Sequence, residues 1–153
     1  MKQKFIKLKN TKFNFKLRLA KIQDLKFVFN LYNKNVLEKK FFSLKKVSLN
    51  EHKIWFKNKI KEKMFYVCSL KERLGYIRFD KTDEKNLTIS IAITSRYKKK
   101  GYGRDMLIKA LSKKSILNYN VWAYVKKNNH TSKKFFLNAG FKLVKNNRYM
   151  IKN

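Results

Sequence analysis

Two spacings of apolar residues divide this chain into strands and helices. Stretches in which apolar and polar positions alternate predict β-strands; they cover 13–20, 64–70, 74–80, 87–93, 118–125 and the closing pair FKLVKN and NRYMIKN. Charged turns, KER and KTDEKN, join the second, third and fourth strands. These three strands are therefore predicted to form an antiparallel meander.

Four other segments repeat apolar residues at the three- and four-residue spacing of an amphipathic helix. They cover 21–33, 48–63, 105–114 and 129–140, and 34–47 is predicted to be a loop. Ser48 and Glu51 have the spacing of a capping box, and Gly140 suits the left-handed position that ends a helix. The order β-α-α-β-β-β-α-β-α-β-β predicts an α+β fold with a mixed, mostly antiparallel sheet of about seven strands and about four helices.

Length and composition indicate one domain. The chain has 153 residues, 44% of them apolar, and no linker divides it. We expect a single domain over 1–153, with 1–12 as a basic leader.

The charge is extreme, at a formal +31 from 40 Lys and Arg against 9 Asp and Glu. A polyanion partner would explain this charge, and so would A/T-rich codons, which favour Lys, Asn, Ile, Phe and Tyr. Lysine is spread along the whole chain, and arginine, the residue that pairs best with phosphates and bases, is scarce. This pattern favours codon bias and argues against a nucleic-acid partner.

The single cysteine, Cys68, excludes an internal disulfide and fits a reducing compartment. It lies in the apolar run MFYVCSL, which is typical of a core thiol rather than a nucleophile. No apolar run approaches the roughly 18 residues that a membrane span needs, and the first ten residues lack the features of a signal peptide. We expect a cytoplasmic protein without a membrane partner; the oligomeric state stays open, a homodimer included.

The stretch KKKGYG, residues 98–103 and called the glycine turn below, holds two of the four glycines in the chain. It lies between the apolar strand LTISIAI and a helix. A glycine turn at the start of a helix leaves backbone N–H groups pointing outward, with the helix dipole behind them. These residues predict a site for a phosphate, and a plain solvated turn is the alternative.

Two motifs resemble those of the GCN5-related N-acetyltransferase (GNAT) superfamily. The glycine turn resembles motif A, Q/R-x-x-G-x-G/A between a strand and a helix. Residues 129–141, NHTSKKFFLNAGF, resemble motif B, N-x-x-[AS]-x-x-[LF]-[YF]-x-x-x-G-F. Gly75, at the start of the third strand, also falls where this family often has a glycine. The resemblance covers the chain from about residue 16 and implies a three-layer α/β/α GNAT fold.

A narrower resemblance lies in the segment 41–60. Its pattern S-x-x-E-H-x-x-W-F, residues 48–56, looks like that of enzymes that acetylate an amino group on a nucleotide-linked sugar, as in pseudaminic-acid and flagellar-glycan pathways. The implied reaction is attack of an amine on the thioester of acetyl-CoA, and the implied acceptor is a UDP-type amino sugar. Other members of the superfamily acetylate a protein N-terminus, a lysine or a small amine, and these acceptors stay open.

The resemblance also implies the residues that bind acetyl-CoA. Backbone groups of the fourth strand would contact the pantetheine arm and the thioester, amides of the turn would hold the pyrophosphate, and the motif B helix would complete the site. The residues are Ile91, Ala92 and Ile93; Lys98, Lys99, Lys100, Gly101, Tyr102, Gly103 and Arg104; and Asn129 and Phe136.

This chain departs from the family pattern at three positions. Lys98 replaces the usual Gln or Arg, so backbone amides are expected to dominate binding. Phe136 replaces the frequent general-acid tyrosine, and a phenyl ring cannot protonate the leaving thiolate. The strand 87–93 has no carboxylate where the family often has its base. A member that binds CoA without catalysis therefore remains an alternative.

The candidate base is His52, whose ordinary pKa of about 6.5 suits the task. It lies within the apolar stripe of its helix, so a packed or substrate-orienting histidine is the competing interpretation. Glu51, Trp55 and Asp80 are the further substrate-binding candidates, although Glu51 also fits the helix cap. No His, Cys or Asp cluster has metal-ligand spacing, and we expect no metal.

Overall fold

The computed structural model describes residues 11–38 and 45–153. Within them lie four α-helices: α1 (Leu25–Leu37), α2 (Leu49–Lys61), α3 (Tyr102–Leu111) and α4 (His130–Asn138). The strands are β1 (Lys16–Leu19), β2 (Phe65–Ser69), β3 (Arg73–Lys81), β4 (Asn86–Ile93), β5 (Asn120–Tyr124), β6 (Lys142–Lys145) and β7 (Arg148–Lys152). This confirms the predicted element order.

The seven strands form one sheet in the order β1-β2-β3-β4-β5-β7-β6. All neighbours pair antiparallel except β4 and β5, which are parallel because α3 crosses between them. β2, β3 and β4 form the predicted meander.

Helices cover both faces of the sheet and give three layers. One core packs Val28 and Leu31 of α1 and Phe56 of α2 against Phe65 and Tyr76 of the sheet. The other core packs α3 and α4 against the opposite face; it includes Met106, Leu107, Ala110, Phe136, Ile77, Phe79 and Leu87. Alternation along each strand supplies both cores, because successive side chains point to opposite faces.

Two helices, α1 and α3, differ most from the predicted bounds. α3 begins at Tyr102 rather than 105, since Gly101 adopts a left-handed φ of 92° and serves as its N-cap. α1 is preceded by a 3₁₀ turn at Ile22–Asp24 and continues to Leu37, into the stretch that was predicted to be a loop. The part of that predicted loop at 39–44 lies outside the described residues.

Two buried carboxylates, those of Asp105 and Asp24, hold the first described residues of the chain and the turn before α1 in place. Asp105 in the first turn of α3 is 1% exposed, and its Oδ2 accepts the backbone N–H groups of Lys12 and Phe13 at 2.6 and 3.0 Å. Asp24 is fully buried and accepts hydrogen bonds from the guanidinium groups of Arg18 and Arg73. The predicted leader at 1–12 otherwise lies outside the described residues.

Cys68 is fully buried, and burial raises the pKa of its thiol to about 12. Its burial confirms the prediction that Cys68 belongs to the core, and the raised pKa disfavours the reactive thiolate. None of the helices in the described ranges is long and apolar enough to span a bilayer.

Candidate active site

The sheet opens between its two parallel strands. β4 pairs with β5 only from Asn86 to Thr88, opposite Asn120 to Trp122. From Ile89 to Ile93, β4 still pairs with β3, but its other edge has no strand partner. The backbone groups on that edge therefore remain available to a ligand.

A cavity of about 500 Å³ runs into this opening and is called the transfer cavity below. On the α3 and α4 side it is lined by Ile89, Ile91, Asn129, Ser132 and Phe136. On the α1 and α2 side it is lined by Tyr32, Tyr76, Arg78, Asp80, Thr88 and Ser90, and Tyr124 and Val125 complete the wall. Because its lining comes from both faces, the cavity connects the two sides of the sheet through the opening.

The glycine turn lies directly before α3 and contains two left-handed residues, Lys99 with φ 59° and Gly101 with φ 92°. Such a turn before a ten-residue helix directs backbone N–H groups outward at the positive end of the helix dipole. The structure adds a packing role for Gly103, whose expected contact with the pyrophosphate stays a prediction. A Cβ on Gly103 would lie 2.6 Å from Ile93 Cδ1 and 3.3 Å from the ring of Phe135, so its missing side chain lets α3 approach β4 and α4.

Side chains of the turn make contacts of their own. Lys98 Nζ lies 3.3 Å from Glu38 Oε2 at the end of α1. The ring of Tyr102 stacks on Phe13 with a centroid separation of 4.1 Å, and Arg104 Nη1 lies 3.3 Å from Asp105 Oδ1. Lys98 is thus already half of an ion pair, in keeping with the expectation that amides dominate anion binding.

Motif B forms the start and core of α4. Asn129 is the N-cap, and its Oδ1 accepts the Ser132 backbone N–H at 3.1 Å. Phe136 is 6% exposed and packs edge-on against Phe135 and Phe141. The helix ends with Gly140 at φ 95°, as predicted. Asn129 and Phe136 both line the transfer cavity, on the same side of the sheet as Ile91.

The polar part of the cavity centres on Arg78 and Asp80, which share one face of β3. Arg78 Nε donates to Asp80 Oδ2 at 2.8 Å, and Arg78 Nη2 donates to Ser90 Oγ at 3.3 Å. Asp80 Oδ1 lies 2.8 Å from Lys59 Nζ of α2. The guanidinium also lies over the Trp55 ring, 4.9 Å from its centroid. The Trp55 ring therefore stabilises the position of the Arg78 guanidinium through a cation–π contact.

Asp80 was a sequence candidate, but Arg78 was not. Arg78 is one of only six arginines, and it stands two residues before Asp80 on a strand. That spacing places both on one face, which is the signal that could have found it. Tyr124 was also missed; it is 45% exposed and lines the cavity beside α4.

His52 lies away from the cavity lining. It is 3% exposed and packs among the rings of Phe29, Trp55 and Phe56 at centroid separations of 5.2 to 5.8 Å. Burial lowers the pKa of His52, partly offset by a hydrogen bond to the backbone of Leu25, and its Nε2 has no hydrogen-bond partner among the described residues. The base role of His52 stays a prediction, and this geometry supports the packed interpretation.

Glu51 forms the capping box that the sequence predicted. Its Oε2 accepts the backbone N–H and the hydroxyl of Ser48, and Ser48 Oγ accepts the Glu51 N–H. These bonds lower the pKa of the Glu51 carboxyl. Its exposed position at the start of α2 keeps it off the described wall of the transfer cavity.

Comparison with known proteins bears on this geometry. The family model described as the acetyltransferase (GNAT) domain matches residues 14–142. A search of curated protein sequences finds no match.

Solved structures share the fold at low identity. The protein yncA from Salmonella typhimurium, solved with its cofactor acetyl-CoA, is 17% identical with a TM-score of 0.77, over 91% of this chain and 94% of its own. Spermidine N-acetyltransferase from Vibrio cholerae, solved with CoA and spermine, is 20% identical with a TM-score of 0.75, over 90% and 95%. A phosphinothricin acetyltransferase from Sinorhizobium meliloti, solved with acetyl-CoA, is 18% identical with a TM-score of 0.75, over 86% and 76%.

The family match spans most of the chain, and the fold, the opening between β4 and β5 and the glycine turn before α3 agree with it. The chain belongs to the GNAT family of acetyltransferases.

Proposed function

We propose that this protein transfers the acetyl group of acetyl-CoA to a primary amine. The observation that supports this most is the edge of β4 from Ile89 to Ile93. It has no strand partner, the transfer cavity lies against Ile89 and Ile91, and the chain leads from Ile93 through a short 3₁₀ turn to the glycine turn. A pyrophosphate on the turn would place the pantetheine arm against Ile89–Ile93. The thioester would then enter the opening between β4 and β5.

The reacting groups meet at the opening in the sheet. The amine nitrogen forms a bond to the thioester carbonyl carbon and gives a tetrahedral oxyanion. A backbone N–H from the unpaired edge of β4 near Ile91 would stabilise this oxyanion. The carbon–sulfur bond then breaks, the nitrogen loses a proton, and the thiolate leaves as CoA after taking up a proton.

The proton steps follow from the side chains that line the cavity. Asp80 is the one carboxylate among the described lining residues, and its two oxygens already lie within 2.8 Å of Lys59 Nζ and Arg78 Nε. Deprotonation of the ammonium through water fits this arrangement better than direct transfer to a side chain. The hydroxyls of Ser132 and Tyr124 line the same cavity as Phe136 and are candidate replacements for the missing tyrosine.

The finer proposal is that the acceptor is an amino sugar linked to a nucleotide. Its support is the S-x-x-E-H-x-x-W-F pattern, which forms the first half of α2 and brings Trp55 beneath Arg78. A protein N-terminus, a lysine or another small amine is the alternative acceptor. Among the similar structures are a spermidine and a phosphinothricin acetyltransferase, which act on small amines by their names.

Turnover assays test both the acetyl transfer and the proposed acceptor. Release of free thiol from acetyl-CoA is measured with UDP-linked amino sugars, simple amino sugars, polyamines, amino acids and an N-terminal peptide, and products are identified by mass. The proposal expects amine-dependent thiol release and an N-acetylated product. Efficient turnover of a peptide or polyamine, with none of a UDP-linked amino sugar, would reject the sugar acceptor and keep the acetyltransferase.

A further inference from the structure

The transfer cavity offers an open cationic donor and a carboxylate whose two oxygens are already in contact with cations. Arg78 uses Nε for Asp80 and Nη2 for Ser90, whereas its Nη1 has no hydrogen-bond partner among the described residues. Asp80 Oδ2 accepts a hydrogen bond from Arg78, whereas Asp80 Oδ1 lies 2.8 Å from Lys59 Nζ as an ion pair but has no partner with hydrogen-bond geometry among the described residues. A cationic group on an acceptor would find no unpaired carboxylate on the described wall, whereas an acidic group would find a guanidinium.

Arg78 is held in a fixed place for such contacts. Its side chain is only 19% exposed, it rests over the Trp55 ring, and two hydrogen bonds fix its plane. A guanidinium held in this way loses little freedom when it binds an oxyanion, and its planar fork matches carboxylates and phosphates.

The position of Arg78 also sets how far the acid group of an acceptor would lie from its reacting amine. Arg78 is directly opposite Ser90 on β4, and Ser90 precedes Ile91 at the opening of the sheet. Neighbouring strands lie roughly 5 Å apart. An acid group bound to Arg78 would therefore lie only a few bonds from an amine that reaches the thioester at Ile91.

We propose that Arg78 makes this enzyme selective for primary amines that also bear a carboxylate or phosphate. The inference rests on the proposed acetyl transfer and narrows its acceptor class. The formal charge of +31 would also attract anions to the protein. A local contact at Arg78 differs from that attraction because it depends on one side chain and is screened less by salt.

A matched acceptor series measures this selectivity. 4-Aminobutyrate, 4-aminobutanamide and 1,4-diaminobutane differ mainly in the charge of the group far from the reacting amine, and glucosamine 6-phosphate with glucosamine forms a second pair. We expect kcat/KM to fall at least tenfold from the anionic to the neutral member of each set, and further for the diamine. This order should persist at 0.3 M salt.

Variants distinguish the effect of Arg78 on acceptor preference from the effect of the protein's overall positive charge. Arg78→Gln should remove most of the anionic preference and leave acetyl-CoA affinity unchanged, and Arg78→Lys should restore part of it. Lys53→Gln is the matched control, because Lys53 is exposed on α2 and its loss changes the net charge equally. Asp80→Asn should keep the preference, since it removes no cation.

Each contrary result is distinct. Equal rates within the wild-type series, faster turnover of the diamine, or no turnover of either anionic amine would overturn the inference. If Lys53→Gln lost as much of the preference for anionic amines as Arg78→Gln, the preference would come from the overall positive charge of the protein. That result would also overturn the inference. Failure of the protein to bind acetyl-CoA by calorimetry would instead refute the acetyl transfer on which the inference rests.

Discussion

Replacing Gly101 with alanine isolates the contribution of the glycine turn. Gly101 has φ 92°, where an L-residue costs about 1–2 kcal/mol. The new Cβ would also lie 3.1 Å from the Phe13 ring, so that ring must shift by a few tenths of an ångström. Relaxing this strain would turn the outward N–H groups away from the phosphate site. We expect a loss of about 1–2 kcal/mol in stability and at least tenfold weaker CoA binding, about 1.4 kcal/mol.

The assay combines thermal unfolding with calorimetric titration of CoA. For a domain of this size each kcal/mol lowers the Tm by about 2–4 °C. Gly101→Asn is the matched control. Asparagine tolerates the left-handed region better than alanine, so this variant should lose less stability and less CoA affinity. Gly103→Ala should be destabilised through crowding against Ile93 instead. A Gly101→Ala protein with wild-type Tm and wild-type CoA affinity would refute the role assigned to this turn.

Three further predictions concern titratable side chains. Burial opposes ionisation of Asp24, but hydrogen bonds from Arg18, the Lys21 backbone and Arg73 outweigh it and lower the pKa of Asp24 from 3.8 to about 2. The lowered pKa of Asp24 adds about 2 kcal/mol to the free energy of unfolding above about pH 4, and this stabilisation is lost as the pH falls toward 2. Asp24→Asn should therefore show a flatter dependence of unfolding free energy on pH in that range. His52→Gln should keep acetyl-CoA affinity, and kcat/KM for the acceptor should fall much less than the roughly 10²-fold loss expected for a general base; a full 10²-fold loss with disappearance of the acidic limb of the pH profile would restore the base role. Lys98→Ala should weaken CoA binding by less than about 1 kcal/mol, and calorimetry at rising salt should show that loss shrinking.

The sequence predicted those features that depend on local geometry. Gly140 adopts the left-handed φ that its position at the end of a helix implied, and Ser48 and Glu51 form both bonds of the capping box. Alternation on β4 predicted that Ile89 and Ile91 share one face of the sheet, and the structure packs that face against α3 and α4. Each of these features is decided by residues close together in the chain, so pattern and spacing are sufficient.

Features that depend on distant residues could not be predicted in this way. Arg78 becomes part of the site only because β3 pairs with β4 and because α2 places Lys59 beside Asp80 and the Trp55 ring beneath the guanidinium. Helical periodicity showed that His52 lies on an apolar stripe, but not that the stripe packs against Phe29 of α1 rather than facing the cavity. The role of Gly103 likewise depends on where α3 meets β4.

Hydrogen–deuterium exchange with and without acetyl-CoA tests the central claim most directly, namely that the cofactor binds along the opening between β4 and β5 and on the glycine turn. The account predicts slower exchange in two separate segments, residues 89–93 and 98–104, while amides of the α1–α2 interface change little. Protection confined to other parts of the chain, or no protection at saturating acetyl-CoA, would contradict it.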